Sequence, residues 1–329
     1  MQKAPKNLAH QLRDVADEAL AYQLKVGRVL SAGSYSVVVA AEHPSLGACA
    51  VKIPWLEARR EDLHPDTTDR GYGPLKMEPV SPTGPFMFES VRDLDAARAL
   101  LRGACSEQQT YGNERPLARL HGVLELPSGP VAVYERIESR AWRDTLRQAG
   151  HPPEGAIRAT ARALLALHRR FGAHGDLKPE HVLWSGPEAV FIDPLPAAQH
   201  WLMGSIGYTL PGLCVPERGR PETREHALVD LASLAAIIAE SYGGTLGWSG
   251  RLTYILANRG NGRFGRGASP KDLRPLAEQG TQTVPPALRT WVLDVVDQCT
   301  NELNRGYGAK TALPGGYCAR QLARLEELC

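Results

Sequence analysis

Two aspartates and a lysine with the potential for acid–base and metal chemistry lie near the middle of this 329-residue chain. Asp176 and Lys178 occupy a polar loop, and Asp193 follows seventeen residues after Asp176, at the end of the second of two short apolar runs. Apolar runs separated by a turn predict a small hairpin. Carboxylates carried on a loop and a hairpin can accept a hydroxyl proton and bind a divalent cation, so the stretch indicates a catalytic site.

A second candidate site lies near the N-terminus, where Lys52 stands between Val51 and Ile53 in an apolar run that predicts a strand. A lysine in such a strand needs an anionic partner, which phosphate oxygens and a carboxylate would provide. Two more strands are predicted before it, and the turn that joins them contains Gly33 among other small residues. Small residues let backbone N–H groups approach phosphate oxygens, so the turn together with Lys52 favours a nucleotide site. Taken alone, a strand-turn-strand with one glycine is usually a simple hairpin.

The run 174–184, His-Gly-Asp-Leu-Lys-Pro-Glu-His-Val-Leu-Trp, resembles the catalytic loop of the eukaryotic-type (Ser/Thr) protein kinases. The family signature is His-Arg-Asp-Leu-x-x-x-x-Asn, followed by Asp-Phe-Gly. In this chain Gly175 replaces the arginine, His181 replaces the metal-binding asparagine, and Pro194-Leu195 replace Phe-Gly. The run 203–212 is similar to the end of a kinase activation segment. The chain therefore resembles a divergent family member whose glycine-rich loop is also degenerate.

The resemblance implies ATP-dependent phosphoryl transfer to protein serine or threonine hydroxyls. Asp176 would accept the hydroxyl proton, and Lys178 would neutralise charge on the transferred phosphoryl group. Asp193 would bind Mg²⁺, with His181 in the place of the second metal ligand. Asp230 stands where the family keeps an aspartate that holds the backbone of the catalytic loop.

The resemblance also implies a nucleotide site between two lobes. Lys52 would hold the α- and β-phosphates and pair with a glutamate, for which Glu107 is the first candidate and Glu89 the second. Tyr134 would be the gatekeeper, and the backbone of 135–137 would pair with adenine. The implied nucleotide contacts are Gly33, Val38, Ala50, Lys52, Glu135, Ile137 and Leu183.

The implied fold class is α+β, a bilobal protein-kinase-like fold with a small β-rich N-lobe and a larger, mainly helical C-lobe. Residues 1–23 are predicted to be an N-terminal helical extension, 24–138 the N-lobe with an insertion at about 54–90, and 139–329 the C-lobe. Apolar periodicity predicts helices at 7–22, 91–109, 156–168 and 228–240, and within 288–328.

Composition does not favour nucleic-acid or membrane binding. The chain has 38 basic and 36 acidic residues and a net charge of +2, so bulk charge predicts no polyanionic partner. No apolar run approaches the roughly 20 residues needed to span a bilayer. The six cysteines lack Cys-x-x-Cys spacing and the N-terminus lacks an apolar signal core. We therefore expect a cytoplasmic protein that binds neither nucleic acid nor a membrane. The resemblance implies a protein substrate or a regulatory partner.

The departures from the family pattern leave two alternatives open. Imidazole suits Mg²⁺ poorly, so His181 is compatible with a pseudokinase that binds nucleotide as a scaffold, or with Mn²⁺ in place of Mg²⁺. His-Gly-Asp also opens the catalytic loop of antibiotic and sugar kinases of the same fold, which makes a small-molecule phosphotransferase the other alternative. Leu-Lys-Pro at 177–179 and Gly-Tyr-x-x-Pro at 207–211 favour the protein-kinase branch.

Overall fold

The computed structural model of the chain describes residues 6–32, 36–55, 94–111, 114–138, 140–142, 154–185, 187–194, 227–244, 246, 273–304 and 316–329. These residues form two compact units. Unit 1 contains the described residues up to Glu114 together with Ala118–Ile137. Unit 2 contains Arg115–Leu117 together with the described residues from Glu138 onward.

Unit 1 is built on an antiparallel sheet. Its elements are α1 (Lys6–Ala19), a 3₁₀ turn (Leu20–Tyr22), β1 (Lys25–Ala32), β2 (Ser36–His43), β3 (Gly47–Pro54), α2 (Leu94–Tyr111), β4 (Leu120–Leu126) and β5 (Gly129–Glu135). Within the described residues the sheet has five strands in the order β1-β2-β3-β5-β4. The β-branched runs of the sequence thus form strands where they were expected to.

Helix α1 covers one face of this sheet. Along β3 the side chains of one face are buried, whereas Ala50 and Lys52 on the other face are half-buried, as the two-residue period of a strand requires. The buried face forms one apolar cluster with α1, which includes Leu8, Val15, Ala19, Val37, Val39, Cys49, Val51, Ile53, Val131 and Val133. Since each fully buried Leu, Ile or Val side chain contributes about 1.5–3 kcal/mol, α1 stabilises unit 1 from the face opposite to Lys52.

Helix α2 covers the face that carries Lys52. Ala132 on β5 pairs directly with Lys52, and direct cross-strand partners point to the same face. Ala132 packs in one cluster with Leu101 and Cys105 of α2 and with Leu120 of β4. These two α2 residues lie four apart, as residues on one face of a helix do, and that face packs on the sheet.

Unit 2 consists mainly of helices. Its elements are β6 (Arg140–Ala141), α3 (Glu154–Phe171), a 3₁₀ turn (Pro179–His181), β7 (Val182–Ser185), β8 (Glu188–Phe191), α4 (Ala227–Ser241), α5 (Leu273–Gly280), α6 (Pro286–Asn304) and α7 (Tyr317–Leu328). In the described part of the unit, β6, β7 and β8 form a three-stranded sheet in that order. Every residue of α4 except Glu240 is buried. A helix that is apolar on all sides is a core helix, and α4 is the centre of the unit.

Gly244, which follows α4, lies against the end of α5. A Cβ at this position would be 2.1 Å from the carbonyl oxygen of Gly280. We expect Gly244→Ala to lower the free energy of unfolding of unit 2 by about 1–3 kcal/mol, because the two backbones must separate. Gly155→Ala in α3 is the matched control, because a Cβ there meets no atom within 4 Å. Chemical denaturation of both variants checks the prediction, and an unchanged Gly244→Ala contradicts it.

The structure differs from the sequence expectation in local detail. The sequence 116–125, which is rich in apolar residues, predicts a strand from residue 116, but strand β4 begins at Leu120, because Pro116 and Leu117 belong to unit 2. There the Phe191 N–H donates to the Pro116 carbonyl at 2.8 Å and Leu117 forms a parallel bridge with Phe191. Strand β6 has two residues, too few to show a period. The predicted insertion at about 54–90 lies outside the described residues beyond Trp55. Of the helices that the structure describes, none has the length and apolar character needed to cross a bilayer.

Candidate active site

Unit 2 brings together four of the predicted site residues. Lys178 Nζ lies 3.1 Å from Asp176 Oδ2, and His181 Nδ1 lies 3.6 Å from the same oxygen. On its other side, His181 Nε2 lies 3.8 Å from Asp193 Oδ2. The His181 side chain is 9% exposed and the Asp193 side chain 29%. The two carboxylates are therefore partly exposed to solvent, whereas the imidazole between them is buried.

The predicted β7–β8 hairpin positions Asp193. Val182 pairs with Phe191, and the Ile192 N–H donates to the His181 carbonyl at 3.1 Å, so the two ends of the hairpin meet beside the loop. Asp193 then adopts a φ of 57°, in the left-handed region that residues other than glycine seldom occupy. Backbone strain of this kind is typical of functional sites.

Asp230, at the start of α4, holds the loop by its backbone. Its buried carboxylate accepts hydrogen bonds from the His174 N–H at 2.6 Å and the Gly175 N–H at 3.0 Å. His168 Nε2 on α3 lies 2.9 Å from the same carboxylate. Burial alone would raise the pKa of Asp230, but the His168 hydrogen bond and the nearby histidines outweigh it and lower the pKa. The predicted role of Asp230 in holding the loop is confirmed.

His174 links the loop to the hairpin in a single tautomer. Its Nε2 lies 2.9 Å from the Ile192 carbonyl oxygen, which can only accept, so Nε2 carries the proton. Its Nδ1 accepts from the Asp176 N–H at 3.2 Å. His174 therefore fixes the backbone of Asp176 and of the residue before Asp193. The sequence does not predict this link, because the two partners of His174 are two and eighteen residues away.

His181 is fixed in the opposite tautomer. Its Nδ1 lies 2.8 Å from the carbonyl oxygen of Asp176, so Nδ1 carries the proton and Nε2 is the atom on the Asp193 side. Burial, with a smaller contribution from Lys178, lowers the pKa of His181 to about 4. At neutral pH the site therefore holds an uncharged imidazole between two carboxylates.

Both buried imidazoles predict a loss of stability in mild acid. Burial lowers the pKa of both histidines, that of His181 to about 4. Between about 6.5 and 4 the unfolded chain therefore binds a proton at His181 that the native state does not, and His174 acts in the same direction. The free energy of unfolding should fall with decreasing pH across that window, by up to about 1.4 kcal/mol per pH unit from His181, with a contribution of the same sign from His174. Denaturant titrations at several pH values measure the slope of the unfolding free energy against pH. His181→Asn should reduce this slope by the contribution of one titrating histidine. Equal slopes in the two proteins would contradict the assignment.

Unit 1 places several predicted nucleotide contacts on one face of its sheet. Lys52 pairs directly with Val38 on β2, and Ala50 pairs with Tyr134 on β5. Alternation along β3 puts Ala50 and Lys52 on the same face, so all four side chains share it. All four are half-buried. The Tyr134 hydroxyl also lies 3.5 Å from Cys105 Sγ on α2.

The predicted adenine-binding segment begins at the end of β5. The Glu135 N–H donates to the Arg119 carbonyl at 2.9 Å, and Glu135 Oε1 accepts from the Arg119 N–H at 2.7 Å. The Arg136 N–H donates to the Ala48 carbonyl at 3.2 Å, which ties the segment to β3. Ile137 is half-buried and follows directly. The adenine contacts themselves stay a prediction.

The remaining predicted residues are dispersed. Glu107 lies half-buried on α2, and its pairing with Lys52 stays a prediction. Leu183 lies on β7, where it pairs with Val190. Gly33 and the alternative Glu89 lie outside the described residues, as does the segment 203–212.

Metal binding is not evident from clustering alone. In the described part of the chain, no group of three or more His, Cys, Asp or Glu side chains is arranged to hold a metal ion. The donors that the loop and hairpin offer are the Asp193 carboxylate and the His181 imidazole. The metal-ligand roles of both residues stay predictions.

The chain has a protein-kinase-like fold. It is similar to the crystal structure of Rad53 1–466 in complex with AMP-PNP, with a TM-score of 0.54 and 16% identity over 93% of this chain and 66% of that one. It is also similar to the crystal structure of the Mycobacterium tuberculosis PknI kinase domain, with a TM-score of 0.50 and 14% identity over 93% of this chain and 96% of that one. The predicted α+β fold class is confirmed. No protein-family model and no curated protein matches the sequence.

Proposed function

We propose that this chain is an ATP-dependent phosphotransferase that acts on protein serine or threonine hydroxyls. The observation that carries the proposal is the grouping of Asp176, Lys178 and Asp193 in one loop and hairpin of a protein-kinase-like fold, with the loop backbone held by Asp230. The Rad53 structure of the same fold is a complex with AMP-PNP, which supports nucleotide binding.

On this proposal the reaction needs positioning and charge neutralisation more than covalent chemistry. Asp176 takes the proton from the substrate hydroxyl. The hydroxyl oxygen bonds to the γ-phosphorus of ATP while the bond between that phosphorus and ADP breaks. Lys178, 3.1 Å from Asp176 Oδ2, holds that carboxylate and places a positive charge beside the reacting oxygen. Lys52 supplies a second positive charge, on the α- and β-phosphates, with Glu107 as its proposed partner.

The proposed cofactors are ATP and a divalent cation, which when bound neutralises charge on the phosphates. Mg²⁺ prefers oxygen ligands, and the partly exposed Asp193 carboxylate fits it. His181 does not fit Mg²⁺, because imidazole nitrogen is a better ligand for transition metals such as Mn²⁺. The residues present therefore fit one Mg²⁺ ion on Asp193, or Mn²⁺ on both side chains.

His181 also favours a second candidate function, a pseudokinase scaffold that binds nucleotide without turnover. The imidazole stands where the family supplies an amide oxygen, and its Nδ1 is already committed to the Asp176 carbonyl at 2.8 Å. A small-molecule phosphotransferase would use the same carboxylates and lysines on a different hydroxyl. The three candidates differ in whether phosphate is transferred and to what.

Incubation of the purified chain with radiolabelled ATP, Mg²⁺ or Mn²⁺, and generic protein and sugar substrates tests the proposal. Label on protein supports it, and label on sugar alone supports the small-molecule enzyme. Calorimetric binding of Mg-ATP without transfer supports the scaffold, and absence of binding rejects all three candidates. Lys52→Ala should abolish transfer, whereas Lys25→Ala on β1, which is exposed, should not.

The choice of metal gives a sharper prediction at His181. Wild type should be more active with Mn²⁺ than with Mg²⁺, because Mn²⁺ tolerates the imidazole. His181→Asn restores an oxygen ligand and should raise the Mg²⁺-dependent kcat about tenfold, which equals ~1.4 kcal/mol of barrier. The measurement is kcat with each metal at saturating ATP. An asparagine variant that binds Mg-ATP and stays inactive with both metals would favour the scaffold.

A further inference from the structure

Ser128, in the turn between β4 and β5, is held by both helices of unit 1. The Glu18 carboxylate on α1 accepts from the Ser128 N–H at 2.9 Å and from its hydroxyl at 2.6 Å. Arg98 Nη2 on α2 donates to the Ser128 carbonyl oxygen at 2.7 Å. The N–H and the hydroxyl of Ser128 thus bond to α1, and its carbonyl oxygen bonds to α2.

The turn is shaped to admit the Arg98 side chain. Gly129 has a φ of 127°, and a Cβ at this position would lie 2.7 Å from Arg98 Nε. Asp95 orients the guanidinium from the other side, with Oδ1 accepting from Arg98 Nη1 at 2.9 Å. One helical turn further on, Arg102 donates twice to Glu125 of β4, at 2.9 and 2.7 Å. The first half of α2 is therefore attached to the β4–β5 hairpin at two points.

The β4–β5 turn connects α1 with α2, although the two helices pack on opposite faces of the sheet. Helix α1 packs on the face of Val51 and helix α2 on the face of Lys52, so the sheet lies between them. Ser128 receives a negative group from one helix and a positive group from the other. Hydrogen bonds with a charged partner are roughly twice as strong as neutral ones.

We propose that α1 positions α2 through this contact, with Glu18, Ser128 and Arg98 as positioning residues. Helix α2 carries Glu107, nine residues beyond Arg98 and about 14 Å along the helix at 1.5 Å per residue. Because a helix is stiff, the position of its first turns determines the position of its later turns. The contact of Glu18, Ser128 and Arg98 therefore determines the position of Glu107 relative to Lys52. Only the effect on the position of Glu107 relative to Lys52 rests on the proposed function.

Hydrogen exchange of the α2 amides in the full chain tests the coupling. Glu18→Ala should speed exchange in α2 about tenfold, because a hydrogen bond to a charged group on the opposite helix is lost. Arg98→Met, which keeps the aliphatic stem, should do the same. The double variant should exchange no faster than the faster single variant, because both substitutions break one link. Asp17→Ala, an exposed acidic neighbour on α1, is the control and should leave α2 unchanged.

Two outcomes would overturn the proposal. One is faster exchange confined to α1 and the β4–β5 turn in Glu18→Ala, and the other is additive effects in the double variant. Glu18→Gln keeps an acceptor oxygen for Ser128 and should recover most of the protection, which a general loss of stability would not do. If the wild-type chain transfers phosphate to no substrate, the proposed function fails, and the exchange experiment still decides the coupling.

Discussion

Asp176→Asn is expected to lower the kcat of phosphoryl transfer by about 10²–10⁴-fold while the Kd for Mg-ATP changes little. Asparagine has the shape of aspartate, and its amide oxygen can replace Asp176 Oδ2, which lies 3.1 Å from Lys178 Nζ in the wild type. It cannot take the proton of the substrate hydroxyl, so the loss falls on the chemical step. Initial rates at saturating ATP, with calorimetry for the nucleotide, separate the two quantities.

Glu188→Gln provides the matched control, because it neutralises an exposed carboxylate on β8 in the same hairpin. It should leave kcat within about twofold of wild type, as expected for a surface substitution. Full activity in Asp176→Asn would show that Asp176 is not the base. An equal loss in both variants would point to the charge of the hairpin instead.

Asp230→Ala should lower the free energy of unfolding of unit 2 by about 3–5 kcal/mol. The substitution leaves the N–H groups of His174 and Gly175, and His168 Nε2, without their acceptor inside the core. A buried donor without a partner bears its full desolvation cost. Chemical denaturation followed by tryptophan fluorescence measures the change, since Trp142 and Trp291 are both buried in this unit.

Two further variants show whether the missing acceptor is the cause. Asp230→Asn keeps one acceptor oxygen and should lose less stability than Asp230→Ala. Glu240→Ala, at the exposed position of the same helix, should change stability by less than about 1 kcal/mol. If Asp230→Ala is no worse than Glu240→Ala, the carboxylate does not support the loop.

Short-range patterns made much of this molecule predictable. The apolar run around Lys52 predicted its strand, and the two apolar runs that flank a turn predicted the β7–β8 hairpin. The partnership of Asp230 with the loop, over some fifty-five residues, was predictable only through the resemblance to a family.

Other features depend on contacts that periodicity does not encode. The pattern of α1 predicts that Val15 is buried but not which face of the sheet it meets. Glu18 and Ser128 are 110 residues apart, and polar residues without a period give no signal of pairing. The tautomer of His181 depends on a backbone carbonyl whose direction only the folded loop defines.

The packing of α7 on α3 sets the order in which the nascent chain can fold. Arg162 on α3 bonds to Glu326 on α7, 164 residues later in the chain. At about 5–20 residues per second, the ribosome takes roughly 8–33 s to synthesise the intervening segment. The apolar helix α4 emerges within that interval, before α7 is available to complete its surroundings. Unit 1 can therefore fold early on the ribosome, whereas α4 of unit 2 lacks its contacts with α7 until residues 317–328 have been made.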